Sequence, residues 1–186
     1  MVRLAFALFL ALATVSARAA LFNVEALANS SSGSGVGLDT GITLSAGQAF
    51  SVTVNSNDLW SAGALPRWSN ADGLTHNLFA TGSDDSGEPS GTLIGIDFGL
   101  HTQHGLSAPF GTLVGELSGT FFVLGTSFSG AAPASGTLKL YYWDSNNSDN
   151  TGSVLADVRA VPEPSIYALL VLGLAGMAMS ARRRRL

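Results

Sequence analysis

Ala49-Phe50-Ser51-Val52-Thr53-Val54-Asn55 decides the fold class. Phe50, Val52 and Val54 alternate with Ser51, Thr53 and Asn55. Successive side chains of an extended chain point to opposite faces, so this is the pattern of an antiparallel strand with one face buried and one in water. Outward from it, residues 21–27, 36–44, 92–98, 112–117, 120–124, 137–143 and 152–161 are further strand candidates. Asp39-Thr40-Gly41 reads as a turn within the second of them, because Gly accepts positive φ. Asn29-Ser30-Ser31-Ser32-Gly33-Ser34-Gly35 reads as a flexible patch, and Ser83-Asp84-Asp85-Ser86-Gly87-Glu88-Pro89 as the most loop-like segment. With 22 Gly and 6 Pro in 186 residues and no helix-period run between the two ends, the expectation is an all-β, jelly-roll-like β-sandwich. Gly91-Thr92-Leu93-Ile94-Gly95 returns as Gly111-Thr112-Leu113-Val114-Gly115, an echo too short for a solenoid and attributable to two strands with similar packing demands.

The ends differ in kind from this middle. Residues 1–20 carry Arg3, an apolar run over 4–15, and small residues at Ala17, Ala19 and Ala20, the order of a secretory signal peptide with cleavage after Ala17 or Ala19. Residues 161–186 hold Val161-Pro162-Glu163-Pro164, a 16-residue apolar stretch over 166–181 that suits a C-terminal transmembrane helix, and an arginine cluster over 182–185. The arginines place the extreme C-terminus on the cytoplasmic side. Residues 21–160 are then the exported domain.

Val161-Pro162-Glu163-Pro164, the apolar segment and the arginines together resemble the PEP-CTERM sorting signal of exported bacterial proteins. That resemblance implies recognition by exosortase, a membrane transpeptidase, and removal of the tail. The chain would be held in the membrane by its C-terminal helix before processing and then reach the cell surface or the extracellular space. A permanent single-pass anchor after a Pro-rich hinge is the alternative.

Between Ala20 and Glu163 the basic residues are Arg67, Lys139 and Arg159 against 13 carboxylates, a formal charge of −10. Nucleic acid is excluded as the default partner, because phosphate recognition needs clustered positive charge. The absence of cysteine removes disulfides and thiolate chemistry. His76, His101 and His104 do not make a catalytic zinc set, and no Gly-x-Ser-x-Gly elbow is present, so no enzyme is expected. The densest run of oxygen ligands is Asp144-Ser145-Asn146-Asn147-Ser148-Asp149-Asn150-Thr151-Gly152. It lacks the Gly and Glu positions of an EF-hand, and reads either as a Ca²⁺ loop or as a solvated Asx-rich turn. Trp60, Trp68 and Trp143 stand beside polar loops and serve equally as core props or as a sugar platform.

A second resemblance covers residues 22–160. Val24-Glu25-Ala26, the run Asp39 to Gln48, Phe50-Ser51-Val52-Thr53, Trp60-Ser61-Ala62-Gly63, Gly111 to Gly115, and Gly136-Thr137-Leu138-Lys139-Leu140 leading to Asp144 and Asp149-Asn150-Thr151-Gly152 are similar in order to the PA-I galactophilic lectins. Those are calcium-dependent galactose-binding jelly rolls in which the sugar bridges a bound Ca²⁺ through two hydroxyls. The resemblance implies Ca²⁺ as cofactor, with Asp144, Asp149 and Asn150 as side-chain ligands. Backbone carbonyls would come from Ala62 and from Asn146 or Asn147, and sugar contacts from His76, Asp144, Asp149 and Asn150. The ligand loop is about two residues shorter than in the lectins, and residues 77–103 are largely an insertion. The implied function is a carbohydrate-binding module for galactose-like or other hydroxyl-rich sugars of surface polysaccharide. The alternative is a non-catalytic matrix or envelope protein that keeps the fold without binding sugar.

Overall fold

The computed structural model describes residues 18–161. The expected transmembrane helix, the arginine cluster and residues 1–17 of the expected signal peptide lie outside them. Among the described residues there are fourteen strands and no helix, so none long and apolar enough to cross a membrane. In chain order the strands are β1 (Arg18–Glu25), β2 (Leu38–Leu44), β3 (Ala49–Val54), β4 (Trp60–Ser61), β5 (Trp68–Ser69), β6 (Leu78–Phe79) and β7 (Leu93–Gly95). They continue as β8 (Leu100–Gln103), β9 (Leu106–Pro109), β10 (Leu113–Leu117), β11 (Thr120–Val123), β12 (Ser127–Ala131), β13 (Gly136–Tyr142) and β14 (Thr151–Ala160).

One sheet runs β12-β3-β14-β4-β5 with β1 also paired to β14, and the other runs β11-β10-β13-β2. Phe50, Val52 and Val54 of β3 are buried as their alternation requires. They share a single core with Val24 of β1, Val154, Ala156 and Val158 of β14, and Leu113, Leu138 and Leu140 of the second sheet. Each fully buried Val or Leu contributes roughly 1.5–3 kcal/mol. The result is an all-β, two-sheet arrangement consistent with a jelly-roll-like sandwich. β10 is buried along its whole length: Leu113 and Leu117 belong to the main core, and Val114 joins Ala108 of the β8–β9 hairpin and Trp143 in a satellite cluster. The β6–β7 ribbon, from the expected insertion, makes another with Leu59, Ala80 and Ile94.

Two local expectations are corrected. Asp39-Thr40-Gly41 is not a reversal: it lies inside β2, where Gly41 at φ +64 and a register shift opposite Thr137 and Lys139 make a bulge. The positive φ is absorbed by one strand because Thr40 Oγ1 donates to the Leu138 carbonyl, which keeps the partner attached. Nor is the Asn29–Gly35 patch free. Asn29 and Ser30 are buried, the Ser31 amide donates to the Tyr142 carbonyl, and Asn29 Nδ2 donates to Val36 O. Polar residues that bond backbone far along the chain leave no periodic trace.

Candidate functional site

The Asp144–Asn150 loop leaves β13 and returns as β14, and both of its ends are pinned. On one side Trp143 is fully buried and its Nε1 donates to the His101 carbonyl at 2.9 Å. On the other, Gly152 at φ +83 packs against Trp60 so closely that a Cβ there would lie 3.0 Å from the Trp60 Cα. Ser31 fixes the loop's entry, its Oγ donating to Asp144 O and accepting from Asp144 N, each at 3.1 Å.

Within this frame the loop's polar atoms divide. Asp144 is 4% exposed; its Oδ1 accepts from the Ser145 amide at 2.7 Å, while its buried Oδ2 has no hydrogen-bond partner. Asn150 is 3% exposed; its Nδ2 donates to Ala26 O at 3.1 Å, which fixes the amide's orientation, and its buried Oδ1 is also without a partner. Asn147 spends its side chain on the scaffold, Nδ2 donating to Leu27 O and Oδ1 lying against Gly33, and its carbonyl accepts from the Asn150 amide. Asp149 is exposed.

Asp149 turns toward Ala62. β4 pairs with the start of β14, Ser61 opposite Thr151 and Trp60 opposite Gly152, which carries Ala62 and Gly63 alongside the loop. Asp149 Oδ2 occupies the space a side chain at Gly63 would need: a Cβ there would be 2.2 Å away, at φ +115. Arg67 joins the two segments. Its Nη1 donates to Ala62 O at 3.4 Å, lies 3.7 Å from Asp149 Oδ2, and its guanidinium sits 4.9 Å from the centroid of the Phe98 ring.

Burial pushes the Asp144 carboxyl above its ordinary value, and the Asp149 charge adds to that push; the Ser145 amide and the neighbouring Asn150 side chain oppose it. Burial likewise raises the Tyr142 hydroxyl well above the usual phenol value, with Asp144 and Asp149 reinforcing it. Negative charge brought into this corner is costly unless a cation meets it. Among the described residues no three His, Cys, Asp or Glu side chains come together. An ion here would therefore draw on two carboxylates, one amide oxygen and backbone carbonyls, an all-oxygen set that suits a hard cation such as Ca²⁺ rather than zinc.

The other candidates fall elsewhere. His76 is exposed, bonds Thr75 Oγ1 through Nδ1, and borders a depression of about 10 Å³ with Trp68, Asn70 and Leu78. That is room for roughly one water. No hydrogen bond joins His76 to Asp144, Asp149 or Asn150. Trp60 and Trp143 are fully buried with their indole N–H groups satisfied by Gly111 and His101 carbonyls, so neither is a sugar platform. Among the described residues no histidine pairs with a carboxylate: His101 bonds Gln103, and His104 stacks on Phe121 at 4.7 Å. Sequence reasoning missed Ser31, Gly63, Arg67 and Phe98. Arg67 alone carried a signal, as one of three basic residues in a segment of −10.

Residues 160–185 match the PEP-CTERM protein-sorting motif. The match starts on Ala160, the last residue of β14. No curated protein matches the chain. Among solved structures, the chain is similar to "EclA N-terminal domain; PllA-like lectin", with 21% identity over 75% of this chain and 94% of that one, at a TM-score of 0.48.

Proposed function

We propose that residues 21–160 form an exported, calcium-dependent carbohydrate-binding module, delivered by exosortase to the cell surface or beyond and binding hydroxyl-rich sugars of surface polysaccharide. Asp144, Asp149 and Asn150 would hold the ion by side chain, with carbonyls from Ala62 and Asn147. The observation that carries this reading is the pair of unpartnered, almost fully buried oxygens, Asp144 Oδ2 and Asn150 Oδ1, in one loop. A buried acceptor without a donor costs about 1–3 kcal/mol, more for a charged group, and a bound cation would recover that cost. Bound Ca²⁺ accepts two sugar hydroxyls in place of water, so the chain needs no catalytic group for recognition. The test is calorimetry of the chain with Ca²⁺ and then with galactose. Heat with Ca²⁺ that vanishes in Asp144→Asn supports the reading, and no heat with either ligand defeats it.

One observation favours the matrix-protein reading. Arg67 already bridges Ala62 O and Asp149, so an internal cation serves that half of the loop pair without a metal. It does not serve Asp144 Oδ2 or Asn150 Oδ1. Calcium-independent stability, unchanged by a chelator, is the outcome that selects this second reading.

A further inference from the structure

Arg67 is half-exposed, with 38% of its side chain accessible, and its guanidinium lies over Phe98 at the lip formed by Ala62 and Asp149. The ring restricts the guanidinium plane, and a guanidinium presents paired donors that fit a carboxylate two at a time. Its only ion-pair partner among the described residues, Asp149 at 3.7 Å, is one of the two carboxylates of the candidate calcium loop. Asp97, next to Phe98, gives its carboxylate to the Gly99 amide and forms no ion pair with Arg67.

Charge balance then changes with the metal. Without it, Asp144 and Asp149 outweigh Arg67 and the lip is negative. A divalent cation held by the two carboxylates cancels them and leaves the single positive charge of Arg67 uncompensated at the edge. The −10 of the exported segment does not reverse this locally, because charges farther than about 8 Å are largely screened at physiological ionic strength.

From this we infer, resting on the calcium reading above, that Arg67 sets the ligand class: the module selects acidic sugars, uronate units of a polysaccharide, over neutral ones. In a uronic acid the carboxylate stands on a ring carbon adjacent to one bearing a hydroxyl. A sugar held on the ion by vicinal hydroxyls therefore carries its charge within reach of the ion's surroundings, where Arg67 receives it in a charge-assisted, two-point contact.

The test uses the full chain, titrated first with Ca²⁺ alone and then, calcium-loaded, with galactose, galacturonate and the methyl ester of galacturonate. The expected result is Ca²⁺ heat, then galacturonate binding about two- to fivefold tighter than galactose or the ester, the size of a half-exposed charged contact. Arg67→Gln should bring the three sugars level, and Arg67→Lys should keep part of the preference. Calcium binding followed by equal affinities, or by tighter galactose, overturns the role of Arg67 and leaves the calcium-dependent lectin standing. No calcium binding overturns both. If Arg67→Gln fails to fold, the acid-against-ester comparison on the unmodified chain reads the same charge and decides alone.

Discussion

Two loops of this protein, Asp144 to Asn150 and Thr81 to Glu88, each hold two Asp and two Ser, and they use them oppositely. In the second, Asp84 accepts from the amide and hydroxyl of Thr81 and from the amide and hydroxyl of Ser86, and Asp85 accepts from the Leu59 amide. These hydrogen bonds, Ser86 foremost, lower the Asp84 carboxyl pKa from its ordinary 3.8 to about 2. It borders a cleft of about 380 Å³ with Phe79 and Asn57, yet its own oxygens are spent. In the first loop Asp144 is buried, its carboxyl raised, and one oxygen of Asp144 and one of Asn150 are left without donors. An oxygen-rich loop is a turn when it bonds itself, and a candidate ion site when the scaffold around it takes up the donors and leaves acceptors inside.

Asp144→Asn should erase the difference between the loops and have the largest effect. The stabilisation by saturating Ca²⁺, about 2.7 kcal/mol at a hundred times Kd, should disappear from thermal unfolding curves. Without metal the variant should be at least as stable as the parent at neutral pH. The sign follows from burial: a carboxyl raised in the folded state is tolerated in its protonated form and costs stability as pH climbs through its folded value. The metal-free parent should therefore lose stability on going upward from its ordinary value near 3.8, and the variant should lack that component of the slope.

Gly63→Ala sharpens the comparison from the opposite side. The new Cβ would be placed 2.2 Å from Asp149 Oδ2 on a backbone at φ +115, so a loss of about 1–3 kcal/mol in chemical denaturation and weaker Ca²⁺ affinity are expected. Ser31→Ala removes both bonds to the Asp144 backbone and should cost about 1 kcal/mol, with weaker calcium binding in calorimetry. Asp84→Asn should do least. Hydrogen exchange should quicken over residues 81–88 while the response to Ca²⁺ stays unchanged. Because the Asp84 carboxyl is lowered in the folded state, its contribution is present above 3.8 and fades as pH falls through about 2.

The fold was legible where one period ran long enough. Residues 49–55 became β3 with the predicted face buried, and residues 137–143 and 152–161 became β13 and β14 within a residue at each end. The two-residue strands β4, β5 and β6 have no period to read. Trp60 and Trp143 looked equally like platforms because the carbonyls that satisfy their N–H groups, Gly111 and His101, lie 51 and 42 residues away. Asp144, Asp149 and Asn150 were legible as a run of oxygen-bearing side chains; the structure buries Asp144 and Asn150 and sets Asp149 Oδ2 beside Gly63 and Arg67. Which of those oxygens are spent depends on Ser31, Ala26 and Arg67, which approach from elsewhere in the chain, and no local pattern announces them.

Terbium luminescence tests the central claim most directly. Tb³⁺ takes the same oxygen ligands as Ca²⁺, and Trp143, the residue before Asp144, is placed to sensitise an ion in that loop. Excitation of tryptophan in the full chain should give terbium emission that saturates at one ion per chain, is displaced by Ca²⁺, and is lost in Asp144→Asn but retained in Asp84→Asn. Absence of sensitised emission, or emission that survives Asp144→Asn, would contradict the assignment of the unpartnered oxygens to a cation.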